Sequence, residues 1–210
     1  MLLSKQSPGI LKGIQLADSV TIDPHKWFYA PLDAGAILVK DHDRLTASFG
    51  IQHAYLKDQT DQQNERYQFY VNGFEQSKRF RSLKVWMSFQ HYGKTQIGKW
   101  VDGNVAQAKH LHQLVVKGDD FESATEPAMS AICIRYLGKG LKGEQLTQLH
   151  HDVAARIEKE GRFWFASTEM KGKTWFRINP VNIYTSIDTM NELFGVLTRY
   201  CKERHTSILQ

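Results

Sequence analysis

The residues best equipped for chemistry are Asp23-Pro24-His25-Lys26-Trp27, which close a short β-branched run, Ser19-Val20-Thr21-Ile22. A primary amine forms an imine with a carbonyl carbon once its site lowers the lysine pKa from about 10.4. Lys26 follows directly on a strand that reads as buried, beside a histidine and close to a proline that fixes φ. That placement suits covalent catalysis. Taken alone, however, a His-Lys pair after a strand is common, and most such lysines are solvated.

Other groupings with apparent chemistry carry less. His110 and His112 are two apart on a helical pattern, so they do not share a face. His150 and His151 are adjacent, with no carboxylate or cysteine at a metal-ligand spacing from either. Gly138-Lys139-Gly140 with Lys142-Gly143 reads as a turn, because the phosphate-loop pattern is absent. Phe163-Trp164-Phe165 with Trp175 and Phe176 reads as core aromatics of a sheet more readily than as a base-stacking platform.

The elements that must position Lys26 are legible from spacing. Pro8 to Ala17 predicts a short helix, Ser19 to Asp23 a strand ending at the lysine loop, and Ala34 to Val39 a second strand buried on both faces. Asp41 to Phe49 predicts a helix. Gly50 to Asn72 is rich in Gln, Asp, Asn and Tyr and has no sustained apolar period, the composition of a lid or binding loop. Helical spacing returns over Glu75–Tyr92, and a further helix is expected after Gly93 as far as Val116. The remainder predicts strands at Phe121–Ala124, Ala131–Tyr136, Phe163–Ser167 and Thr174–Asn179. Its helices are expected at Glu144–Glu160, stopped by Gly161, and at Ile187–Arg199. This order implies an antiparallel sheet with helices on one face.

Hydrophobic residues at 41% and charged residues at 23% of 210 positions exclude a disordered chain. The net charge of +5 could suit a polyanion. Yet the basic residues are scattered, and the tightest cluster, Lys78-Arg79-Phe80-Arg81 with Lys84, falls on one helical pattern that reads as solvated or cofactor-facing. A nucleic-acid partner is therefore not expected. Cys133 and Cys201 fit no metal or redox spacing, which points to a reduced, cytoplasmic setting. Met1-Leu2-Leu3 is followed at once by Ser4, Lys5 and Gln6, so neither a signal peptide nor a membrane span is expected.

Written out as ADSVTIDPHKW, the lysine segment resembles the cofactor-lysine motif of the pyridoxal-phosphate-dependent amino-acid decarboxylases, the group that includes the aromatic-L-amino-acid and glutamate enzymes. The resemblance extends from Lys12 to Lys40. It resumes at Ser77-Lys78-Arg79-Phe80-Arg81-Ser82-Leu83-Lys84-Val85-Trp86, which is similar to the arginine-rich helix following that family's mobile loop. Between the two, His53-Ala54-Tyr55-Leu56 falls where the loop carries a catalytic tyrosine. Weaker similarity runs through Ala131–Tyr136 and Thr174–Asn182. The implied fold is α/β: the C-terminal part of a fold-type-I enzyme, with residues 1–84 as the tail of the large mixed-sheet domain and 85–210 as a small domain.

The resemblance implies that Lys26 holds pyridoxal 5'-phosphate, that His25 lies beside its phosphate, and that Tyr55 is the proton donor. The activity implied is decarboxylation of an L-amino acid, and Trp27 is closer to the aromatic branch. Family members take their phosphate turn, ring-stacking histidine and ring-nitrogen aspartate from sequence upstream of the lysine. Only 25 residues precede Lys26 here, and none supplies those groups. The expectation is therefore a truncated or split chain, weak or inactive alone, acting as a homodimer or with a full-length or N-terminal partner. Two alternatives stay open: a non-catalytic remnant that pairs with a relative, and another fold-type-I activity such as amino transfer.

Overall fold

The computed structural model describes residues 3–5, 9–50 and 69–210. Contacts divide the chain into two units, Lys12–Gly93 and Lys94–Gln210, the second joined by the described part of Met1–Leu11.

In the first unit, β1 (Ser19–Ile22) pairs antiparallel with β2 (Ala36–Val39), with Val20 opposite Leu38 and Ile22 opposite Ala36. Among the described residues no third strand joins this ladder. That corrects the expectation of a strand buried on both faces: Ile37 is 54% exposed and Leu38 58% exposed. An apolar strand sequence states what a strand could bury, and only a neighbouring layer buries it. The expected helix at Pro8–Ala17 is also corrected. A single 3-10 turn forms at Ile14–Leu16, because Gly13 takes φ 96°, which no right-handed helix contains.

Helix α1 spans Asp43–Phe49, and Asp41 closes its entrance by accepting the Asp43 N–H (3.2 Å) and pairing with Arg44. Helix α2 runs over Arg81–Val116 and breaks at Gly93 (φ 73°, ψ 155°), where the apolar period itself stops. Its start lies later than Glu75, because Glu75 pairs with Arg81 at 3.1 Å and the Arg81 N–H closes a turn onto the Arg79 carbonyl.

The second unit is an antiparallel sheet of order β3-β4-β6-β5, formed by Phe121–Ser123, Ile132–Tyr136, Lys173–Ile178 and Ala166–Met170 respectively. Ile132, Ile134 and Tyr136 of β4 alternate inward, and Cys133 and Arg135 face away. Helix α3 (Gly143–Glu160) buries Leu146, Leu149, Val153 and Ile157, one stripe at helical spacing. It ends at Gly161 in the left-handed region (φ 70°). Helix α4 (Ile187–Leu209) is capped by Ser186, whose hydroxyl accepts the Thr189 N–H, and buries Met190, Leu193, Leu197 and Cys201. The apolar part of α2 adds Ala108, Leu111 and Val115 to the same core.

Strand β5 lies three residues later than the apolar run Phe163–Ser167 predicts. Its register is set by the two-residue turn Lys171-Gly172, both at positive φ (52° and 67°), which pairs Met170 with Lys173. Helix α4 runs ten residues past Arg199. Its last turns are held by polar contacts: Arg156 to Glu203 at 2.6 Å, Arg204 to Asp152 at 2.7 Å and His205 to Tyr136 at 2.9 Å.

Candidate active site

Lys26 sits in the connection between β1 and β2, the single link that the ladder must close. The connection folds by backbone hydrogen bonds: Lys26 N–H to the Asp23 carbonyl (3.0 Å), Tyr29 N–H to that of Lys26 (3.1 Å) and Ala30 N–H to that of Pro24 (3.1 Å). Pro24, Ala30 and Ala34 are buried beneath it. Small side chains there allow the backbone to fold tightly while the lysine side chain stays 66% exposed. Tyr29 occupies the left-handed region (φ 53°), and burial pushes its phenol up to about 12, so it stays protonated.

The Lys26 ammonium pairs with Asp23 at 2.7 Å. The ammonium's hydrogen bond, then its charge, lowers the Asp23 pKa below the ordinary carboxylate range. Asp23 is therefore held as the carboxylate beside the amine. Both groups are about half exposed or more, and pairs of that kind are weak enough to exchange readily.

His25 is half-buried, and its Nδ1 lies 2.6 Å from the Ala34 carbonyl oxygen. A carbonyl only accepts, so Nδ1 carries the proton, and Nε2 is the nitrogen left to engage another group. Trp27 completes the cluster. Its indole N–H is shut away from solvent and finds no acceptor among the described residues.

One feature of this unit has no signal in the sequence. Asp33, ten residues past Asp23 in a stretch without period, gathers three cations: Arg81 Nε at 3.1 Å, Lys84 Nζ at 3.4 Å and Arg79 at 3.7 Å. Three members of the basic cluster that reads as a solvated or cofactor-facing helix thus meet one carboxylate of the loop after Lys26, while Arg81 also pairs with Glu75 and Lys78 donates to the Phe69 carbonyl. Tyr55, the expected proton donor, lies outside the described residues, as does most of Gly50–Asn72.

The second unit adds no competing centre. His110 bonds Asn191 at 2.7 Å, and His150 is locked inside the core. Among the described residues no group of His, Cys, Asp and Glu could hold a metal. Among the described residues no helix is long and apolar enough to cross a membrane.

Comparison with known proteins agrees with the geometry. The sequence is 29% identical over 203 residues to an aromatic-L-amino-acid decarboxylase of Bacillus atrophaeus, covering 96% of this chain and 42% of that one. It is 29% identical over 163 residues to tryptophan decarboxylase 2 of Oryza sativa subsp. japonica, covering 78% of this chain and 33% of the relative. The fold superposes on Oryza sativa TDC with PLP and tryptamine at a TM-score of 0.82 and 25% identity, across 92% of this chain and 40% of the other. The chain thus spans less than half the length of the relatives it matches. The pyridoxal-dependent decarboxylase conserved domain matches residues 1–137, a stretch that contains the lysine turn, the Asp33 cluster and all of α2, and so the chain belongs to the pyridoxal-dependent decarboxylase family.

Proposed function

We propose that this chain contributes the lysine-bearing part of an active site that decarboxylates an L-amino acid of aromatic type. Lys26 is the covalent anchor for pyridoxal phosphate, His25 faces the phosphate and Tyr55 is the proton donor. The observation that carries this reading is the pairing of an exposed primary amine with a histidine whose orientation is fixed by the Ala34 carbonyl. The side chains fit the group: an amine for its aldehyde, an imidazole for its phosphate, and in Trp27 a buried N–H with no acceptor of its own.

Bound pyridoxal phosphate supplies the electron sink that accepts the charge left when carbon dioxide departs. The chain's own residues do the rest. Lys26 Nζ must first lose the proton that Asp23 stabilises, since only the neutral amine attacks a carbonyl carbon. With Nδ1 committed to Ala34, His25 presents Nε2, which donates to an anionic oxygen when the ring carries its second proton. Tyr55 Oη returns a proton to the substrate α-carbon.

A second copy of the chain, or a full-length or N-terminal relative, is the partner in this reading, and the exposed apolar residues of the β1–β2 ladder support a surface that such a partner covers. A reducing compartment such as the cytoplasm suits the two free thiols. A second reading, a regulatory subunit without its own turnover, rests on those same exposed faces. Borohydride trapping with pyridoxal phosphate, followed by peptide mass spectrometry, separates the two. The pyridoxyl mass is expected on the peptide containing Lys26 and is lost in Lys26→Ala. No label at Lys26, alone or with a full-length homologue present, would overturn the catalytic reading.

A further inference from the structure

The Asp33 cluster stands directly behind the His25–Lys26 turn. The Asp33 carboxylate is held by Arg81, Lys84 and Arg79, all from the start of α2 or just before it. The next residue, Ala34, is 2% exposed, and its carbonyl is the acceptor for His25 Nδ1. Three links therefore run in series from α2 to the lysine's neighbour: cation to carboxylate, carboxylate residue to the adjoining peptide, and that peptide's oxygen to the imidazole.

We propose that Asp33 is a positioning residue for the cofactor turn. By anchoring its loop to Arg79, Arg81 and Lys84, it holds the Ala34 carbonyl against His25 and so selects the Nδ1–H tautomer, leaving Nε2 as the nitrogen that takes the second proton and then donates to the phosphate. The role given to Nε2 rests on the cofactor assignment proposed above; the tautomer itself does not.

Two points favour a device over an incidental surface cluster. Isolated exposed ion pairs are weak, but one carboxylate shared by three cations forms a network whose members orient one another. Its charge is also permanent in the working range. The Asp33 backbone N–H, then Arg81, hold its carboxyl at about 2, so the anchor stays charged at neutral and mildly acidic pH. The alternative is that burial of Ala34 alone fixes the carbonyl, and the two make different predictions.

The test is long-range proton–nitrogen NMR of the ¹⁵N-histidine-labelled chain without cofactor, with the His25 signals identified by their loss in His25→Gln. The wild-type chain is expected to show His25 as a single Nδ1–H species. In Asp33→Asn that species should give way to a mixture in which Nε2–H appears, and Asp33→Glu should restore it. Arg81→Gln with Lys84→Gln, which leaves Asp33 in place, should reproduce the loss and covers the case in which Asp33→Asn misfolds. An unchanged Nδ1–H species in Asp33→Asn or in the double variant overturns the proposal. Because no cofactor is present, a failure of pyridoxal attachment at Lys26 would leave this result intact, so the two readings fail separately.

Discussion

His150 offers the sharpest quantitative test of how the second unit is held together. The ring is fully buried. Its Nδ1 lies 2.6 Å from the Leu146 carbonyl and its Nε2 accepts the Tyr136 backbone N–H at 3.1 Å, with the Phe176 ring centroid 4.6 Å away. Both nitrogens are thus assigned, and the neutral ring fits. A second proton would have to enter at Nε2, where a donor already points. Burial accordingly pulls the pKa down from 6.5 to about 4. The unfolded chain takes up this proton below about 6.5 and the folded chain only near 4. The neutral ring's contribution is therefore complete above pH 6.5 and is lost as pH falls from 6.5 to 4. The difference of about 2.5 units, at 1.36 kcal/mol each, is worth about 3 kcal/mol. With a urea slope of about 2 kcal/mol/M, that moves the midpoint by about 1.5 M. The assay is urea unfolding at pH 7, 6, 5 and 4.5 for the wild-type chain and His150→Leu. The variant is expected to be weaker at pH 7, because the Tyr136 N–H loses its acceptor, and to lack this component of the acid slope. Parallel pH profiles for the two proteins would refute the reasoning, as would a ¹³C NMR titration that places the His150 midpoint above 6.

Two other outcomes follow from the candidate site. Asp23→Asn removes the carboxylate that pairs with the Lys26 ammonium, so labelling by pyridoxal phosphate at fixed pH below 8 should accelerate about 1.4- to fivefold, the range of an exposed pair worth about 0.2–1 kcal/mol; a slower rate would mean that Asp23 orients the amine instead. In any assembly that decarboxylates, Tyr55→Phe should slow amine formation and raise the share of oxidative or transamination products, and an unchanged product partition, read by chromatography, would remove Tyr55 from the mechanism.

Much of the second unit was legible in the sequence because its signals are local. Alternation in Ile132–Tyr136, the stripe Leu146-Leu149-Val153-Ile157 and the stop at Gly161 each depend on neighbours within a few residues. The misplacements arise where tertiary partners decide. Strand β5 takes its register from the Lys171-Gly172 turn, and the end of α4 is stabilised by Asp152, Arg156 and Tyr136, 47 to 69 residues away in sequence. The same division runs through the site. Lys26 and His25 stand out as a pentapeptide, whereas Asp33 draws its meaning from cations 46 to 51 residues downstream.

The two-stranded ladder that carries the lysine turn also bears on the chain's life inside a cell. Ile37 and Leu38, paired with β1 but exposed on the ladder, present an open apolar surface of the kind that chaperones retain and proteases sample. Abundance then becomes a reporter of assembly. If a second polypeptide covers the ladder, copies made in excess of it are expected to be cleared, and the steady-state level is expected to follow the supply of that polypeptide more closely than the rate of the chain's own synthesis.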